Sequence, residues 1–166
     1  YKRQIEDIVM LEGKRGAPEY GVIDYIVVKN ALGGTSKIGF KSCDQGREKF
    51  QGTSLDFVWF DEEPPKDIYD ECRMRVFDKK GDIFGTMTPL KGLTWVYDEI
   101  EMNVSQSPEV WCEYMEWNDN PYLDKSEIKA MESTVSKQDQ LSRRFGKFST
   151  AEAVSYTHLT LPTKLE

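Results

Sequence analysis

The feature that most constrains the fold is the largely apolar run of residues 55–60, LDFVWF, which ends directly in Asp61, Glu62 and Glu63. A short apolar run of this kind is typical of a strand buried on both faces of a parallel sheet. Two prolines follow at 64–65 and predict the start of a helix, because proline is tolerated in a first helical turn. The segment therefore predicts a buried strand whose carboxyl end carries acids.

Strands and helices alternate on both sides of this run. The apolar spacing in residues 1–12 predicts a helix, and two strand-like segments flanking Gly33-Gly34 predict a hairpin. After the two prolines a helix buries one apolar side, and a second buried strand follows at 82–87. The remaining predicted elements are a short helix around 95–100, a strand at 110–117 and a long polar helix from Asp124, whose spacing to Glu127 resembles a capping box, to about Phe145. This alternation predicts an α/β fold with a parallel sheet.

Composition excludes several functional classes. No apolar stretch reaches the roughly 18 residues of a membrane span, and a single histidine, His158, excludes a histidine-based catalytic centre. Residues 1–50 carry 9 Lys+Arg and 7 Asp+Glu, a balance of +2, while residues 51–166 carry 13 and 22, a balance of −9. A nucleic-acid-coating protein normally shows a basic stripe, so DNA contact here would be local or shared among subunits.

Four apolar residues followed by Asp61 and Glu62 form a Walker B pattern. The strand would deliver the first carboxylate to the Mg²⁺ of a bound nucleotide, and the second would polarise the attacking water. Taken alone, the same pattern also marks an ordinary strand leaving the core.

A second polar segment, GTMTP at residues 85–89, lies at the end of the next predicted buried strand. Because parallel strands end side by side, Thr86 and Thr88 are predicted to lie beside Asp61 and Glu62, where they would sense a γ-phosphate. The alternative is a strand that ends in a polar turn before a proline.

Together these motifs resemble a known family. The segments FQGTSLDFVWFDEEPP, GDIFGTMTPLKGLTWVYDEI and EWNDNPYLDKSEI resemble, in this order, the large terminase subunit of tailed bacteriophages, over about residues 22–148. The resemblance implies a DNA-packaging motor ATPase with a RecA-like P-loop NTPase core. By the same resemblance Asp61 binds Mg²⁺, Glu62 is the catalytic carboxylate for ATP hydrolysis, and Gly85–Thr88, with Thr86 and Thr88, couples hydrolysis to DNA movement.

The implied partners are double-stranded DNA, further copies in a homo-oligomeric ring, the portal protein and the small terminase subunit, in the cytoplasm of the infected bacterium. No GxxxxGK[ST] phosphate loop occurs in the sequence, and no nuclease domain follows the motifs. Residues 1–150 are therefore predicted to be a truncated ATPase domain, inactive alone, with a lid or linker helix at about 125–148. Residues 151–166 resemble a translated sequencing adapter and are predicted to be a non-native tail, although a native edge strand is an alternative.

Several assignments stay open at this stage. Arg47 is a candidate arginine finger or a solvated loop residue, and Arg73 and Arg75 compete for the same role. A helicase or another RecA-like NTPase would use the same strand-end carboxylates. A metal-dependent nuclease using Asp61, Glu62 and Glu63 is a further alternative, as is a non-catalytic interaction module.

Overall fold

The computed structural model describes residues 8–13 and 23–149, which fall into two units divided between Thr53 and Ser54. The architecture is mixed α/β, with a small antiparallel sheet in the first unit and a small parallel sheet in the second. Within the described residues, no helix is long and apolar enough to cross a membrane. The α/β class predicted from the alternating elements is confirmed, but among the strands that the structure describes only β4 (Phe57–Asp61) and β5 (Asp82–Thr86) pair in parallel.

The first unit contains a three-stranded antiparallel sheet, in the order β1-β2-β3. Its strands are β1 Ile8–Gly13, β2 Ile23–Lys29 and β3 Thr35–Gly39. The predicted hairpin is confirmed: the Asn30 carboxamide oxygen accepts from the backbone N–H groups of Leu32 (3.1 Å) and Gly34 (3.0 Å), and Gly33 adopts φ 81°.

The helix predicted for residues 1–12 is wrong for its described part, because residues 8–12 lie in β1. That strand pairs antiparallel with β2, from Ile8 opposite Val28 to Gly13 opposite Ile23. β-Branched residues such as Ile8 and Val9 favour a strand once a partner supplies the ladder. Hydrogen bonding to a distant segment therefore overrides the local helical spacing.

The second unit begins with a β-α-β segment formed by β4 Phe57–Asp61, α1 Lys66–Phe77 and β5 Asp82–Thr86. The two strands are parallel and paired from Phe57 opposite Asp82 to Asp61 opposite Thr86. The buried side of α1 comprises Ile68, Cys72 and Val76, and Phe60 of β4 is buried as well. These elements agree with those predicted from the sequence.

Burial of the β4 strand differs from the prediction. On β4, Trp59 is 62% exposed and Phe57 is 54% exposed. Phe84, the β5 residue opposite Trp59, is 42% exposed. Successive side chains on a strand point to opposite faces, so the face that carries Phe60 is covered while the face that carries Trp59 is open. The expectation of burial on both faces is therefore wrong for the described chain.

The remainder of the second unit consists of short helices joined by irregular segments. It contains α2 Trp95–Glu99, α3 Lys125–Thr134 and α4 Lys137–Phe145, with short 3₁₀ helices at Glu101–Asn103 and Trp117–Asp119. The strand predicted at 110–117 is wrong: residues 110–116 have no regular secondary structure, and no strand within the described part of the chain pairs with them. The single long helix is also wrong. Val135 is extended (ψ 136°), and the Ser136 side chain caps a second helix by accepting from the Asp139 N–H.

The cap of α3 gives a pH-dependent prediction. The Asp124 carboxylate accepts from the backbone N–H (2.8 Å) and the hydroxyl (2.9 Å) of Ser126, and these bonds lower the pKa of Asp124 below its ordinary value of 3.8. A carboxyl group whose pKa is lower in the folded state stabilises the fold when it is ionised. Its full contribution is present above the unfolded-state pKa and is lost as the pH falls through the folded-state pKa. We expect the destabilisation caused by Asp124→Ala, measured by urea unfolding, to shrink as the pH falls below 3.8.

Ser136→Ala is the matched control, because it removes a helix cap that does not titrate. It should cost about 1 kcal/mol at every pH. A destabilisation by Asp124→Ala that does not change with pH would contradict the prediction.

Candidate functional site

Asp61 and Thr86 lie side by side at the carboxyl ends of β4 and β5. They are the last residue pair in the parallel register, and the Glu62 N–H continues the ladder by donating to the Thr86 carbonyl oxygen at 2.7 Å. The predicted juxtaposition of the two motifs is therefore confirmed. It arises because helix α1 connects the two strands and carries the chain back to the level where β4 began. β5 can therefore run parallel to β4 and end beside it.

The Asp61 carboxylate belongs to a short hydrogen-bond chain across the open face of the sheet. The Trp59 indole N–H donates to the Thr86 hydroxyl oxygen at 2.9 Å, and the Thr86 hydroxyl donates to Asp61 Oδ1 at 3.4 Å. Residues 59 and 61 share a face because strand side chains alternate. Since the Thr86 oxygen accepts from the indole, its own proton is directed toward Asp61.

Glu62 leaves the strand in an unusual conformation. Its φ is +71°, in the left-handed region that few residues other than glycine adopt. The exposed Glu62 side chain reaches the second polar motif, where Oε2 accepts from the Thr88 backbone N–H at 3.2 Å. The end of β5 and the residues after it therefore contact both carboxylates, Asp61 through Thr86 and Glu62 through Thr88.

The third acid takes a different direction. Glu63 Oε2 accepts from the Thr94 hydroxyl at 2.9 Å, and the carbonyl oxygen of the buried Pro64 accepts from the Trp95 indole N–H at 3.2 Å. The Trp95 ring also packs on Tyr69 of α1, with centroids 4.6 Å apart. Thr94 and Trp95 were not predicted as site residues, since nothing local in GLTWV marks them as partners of residues 31 positions earlier.

A lysine at the start of α1 ties this region to α2. Lys66 Nζ lies 2.5 Å from Asp70 Oδ1 and 3.0 Å from Glu99 Oε2. The hydrogen bond to Asp70, with a smaller contribution from Glu99, raises the pKa of Lys66 above its ordinary value. Lys66 therefore joins the start of α1 to the end of α2.

The structure separates the candidate arginines. Arg47 begins the 3₁₀ helix Arg47–Phe50 of the first unit, where its role as an arginine finger stays a prediction. On α1, Arg75 Nε pairs with Glu71 Oε1 at 3.2 Å, and the Arg73 guanidinium lies 5.9 Å from the Tyr69 ring centroid. The predicted tail 151–166 lies outside the described residues.

Comparison with known proteins identifies the family. The model of a family described as the terminase large subunit, T4likevirus-type, N-terminal, matches residues 16–157. That range covers most of the chain, and the chain therefore belongs to this large terminase subunit family. The resemblance noted from the three motifs is confirmed. The match extends into the segment 151–166, and the domain boundaries stay predictions.

One relative makes the likeness more specific. The chain is 36% identical over 111 residues to the large terminase subunit of Salmonella phage P22, an alignment that covers 63% of this chain and 22% of that protein. The chain thus spans about a fifth of the length of the curated relative it matches. No solved structure is significantly similar to it.

Proposed function

We propose that the chain is part of a phage DNA-packaging motor, a large terminase subunit that couples ATP hydrolysis to translocation of DNA into a procapsid. The observation that carries the proposal is the contact between two strand-end motifs, Asp61 with Thr86 and Glu62 with Thr88, in a chain of the terminase family. Open α/β sheets bind ligands outside the carboxyl ends of their strands, which is where these four residues lie.

Asp61 is the proposed ligand of Mg²⁺. Within residues 23–149 no cluster of three or more His, Cys, Asp or Glu side chains is arranged to hold a metal ion. A single exposed carboxylate nevertheless fits the way Mg²⁺ arrives with a nucleotide, since the phosphates and water complete its coordination. When bound, the ion would neutralise charge on the phosphates. The hydrogen bond from Thr86 holds one oxygen of the Asp61 carboxylate in place.

Glu62 is the proposed general base. Its carboxylate lies one residue beyond Asp61 and is exposed, so it can accept a proton from a water that attacks the γ-phosphate. One of its oxygens is held by the Thr88 N–H. A movement of the Glu62 side chain would therefore displace residues 86–89 through this hydrogen bond. This link supports the coupling role proposed for Thr86 and Thr88.

The remaining parts of the proposal rest on the family. A RecA-like P-loop core would supply the phosphate loop, and Arg47 is proposed to act as an arginine finger on a neighbouring subunit's nucleotide. The proposed partners are double-stranded DNA, further copies in a ring, the portal protein and the small terminase subunit.

Contacts within the site favour hydrolysis of ATP over the nuclease alternative. Two-metal nucleases hold their ions with several converging carboxylates. Here Glu62 turns toward Thr88, and Glu63 turns toward Thr94. The three adjacent acids thus point in different directions, and only Asp61 is left to bind a metal ion. A nucleotide suits this arrangement, because its phosphates supply further ligands to the ion. A helicase would share this arrangement, and the terminase family favours packaging.

The test compares wild-type protein and Asp61→Ala in the intact large subunit. We expect Asp61→Ala to weaken binding of Mg²⁺-ATP by at least about tenfold, because the nucleotide loses the protein's hold on its metal. Binding is measured by isothermal titration with and without Mg²⁺, and phosphate release by a malachite-green assay. Asp98→Ala, which removes an exposed acid on α2, is the control.

The isolated chain should release no phosphate above background, because it has no phosphate loop to position the nucleotide. Unchanged Mg²⁺-ATP affinity in Asp61→Ala, or turnover by the isolated chain, would show that the nucleotide site lies elsewhere.

A further inference from the structure

The backbone of Glu62 requires an external restraint. A residue other than glycine at φ +71° is strained, and such strain persists only where the surrounding structure holds it in place. On the side of β5, the Glu62 N–H bonds to the Thr86 carbonyl oxygen and its carboxylate to the Thr88 N–H. These two contacts hold Glu62 itself, and neither of them reaches Glu63 or Pro64.

That following chain is held by the start of α2. Thr94 and Trp95 each donate a side-chain hydrogen bond to it, at Glu63 Oε2 (2.9 Å) and at the Pro64 carbonyl oxygen (3.2 Å). Trp95 is anchored in turn against Tyr69. Because proline has a fixed φ, Pro64 limits rotation between Glu63 and the bonded Pro64 carbonyl, and a rotation at Glu62 would strain these bonds.

Thr94 provides an independent indication. It occupies the N-cap position of α2, where a threonine hydroxyl ordinarily accepts a hydrogen bond from the first turn of its own helix. In this chain Thr94 makes no such side-chain cap bond, and its hydroxyl donates to Glu63 instead. The Thr94 hydroxyl thus bonds to Glu63 instead of capping helix α2.

We propose that Thr94 and Trp95 are positioning residues for hydrolysis: by clamping Glu63 and Pro64 they hold the Glu62 backbone in its left-handed conformation and aim its carboxylate. This inference rests on the proposed role of Glu62 as general base. It also assigns Glu63 a structural task within the clamp, separate from metal binding.

The experiment uses the intact large subunit with Thr94→Val, which keeps the shape of the side chain and removes the hydroxyl, and Thr94→Ser, which keeps the hydroxyl. We expect Thr94→Val to lower kcat about three- to tenfold, the effect of one lost hydrogen bond, with KM for ATP changed by less than about twofold. Thr94→Ser should recover most of kcat. Trp95→Phe, which keeps an aromatic ring against Tyr69 but loses the indole N–H and part of the packing area, should lower kcat at least as much as Thr94→Val, and serves alone if that variant does not fold.

The outcomes separate the two proposals. If Glu62→Gln remains active, the proposed function of Glu62 is wrong whatever Thr94 does. If hydrolysis depends on Glu62 but Thr94→Val and Trp95→Phe both keep wild-type kcat, the clamp is overturned. It is also overturned if Thr94→Ser is as slow as Thr94→Val, or if the variants lose thermal stability and ATP affinity together, since both results indicate a general structural role.

Discussion

Replacing Glu62 by glutamine in the intact large subunit is expected to abolish ATP hydrolysis while leaving Mg²⁺-ATP binding largely unchanged. The amide keeps the shape of the side chain and can still accept from the Thr88 N–H, but it cannot take a proton from water. Loss of a general base lowers kcat by on the order of 10²–10⁴. Single-turnover phosphate release measures the chemical step, and equilibrium titration measures the binding.

Glu109→Gln is the matched control for this variant, because it makes the same chemical change at an exposed glutamate in the loop before residue 110. It should hydrolyse ATP at the wild-type rate. A Glu62→Gln protein with wild-type kcat would place the base elsewhere. A variant that loses nucleotide binding and hydrolysis in parallel would show that Glu62 supports the site instead of acting on water.

Gly81→Ala is expected to have the largest effect on stability. Gly81 precedes β5, and a Cβ there would lie 2.4 Å from the Asp56 carbonyl oxygen and 2.9 Å from the Leu55 carbonyl oxygen. These are backbone atoms just before β4, and they cannot move away without breaking the bond from the Asp82 N–H to the Asp56 oxygen. We expect a loss of about 3 kcal/mol in the free energy of unfolding, the upper end for overpacking.

Gly85→Ala supplies the control for this second substitution. Gly85 lies in β5, and an added Cβ would meet nothing within 4 Å. Its effect should stay below about 1 kcal/mol, the range of the conformational difference between glycine and alanine. Urea unfolding of the two variants, followed by far-UV circular dichroism, measures both values. Equal stabilities would mean that β4 and β5 are not as closely spaced at Gly81 as described.

Much of the candidate site was predictable from local sequence. The apolar run before Asp61 and the strand before Thr86 predict two strand ends, and the parallel order predicts that they meet. Register made this specific, since Asp61 pairs directly with Thr86. The contacts of Glu63 and Pro64 with Thr94 and Trp95 were not predictable, because they join segments about 30 residues apart through side chains that have no shared motif.

The sequence by itself determined the short-range elements, which are the β2–β3 hairpin, the strands β4 and β5, and helix α1 with its buried Ile68, Cys72 and Val76. Its motifs also determined membership of the large terminase subunit family. Periodicity and turn chemistry act over a few residues, so these elements can be predicted without knowledge of the tertiary structure. Only the tertiary structure decided that residues 8–13 pair as a strand, that the face of Trp59 stays open, and that Glu62 turns back at φ +71°. These features depend on which distant groups supply the hydrogen bonds and cover the apolar surface, and such partners are brought together only when the chain folds.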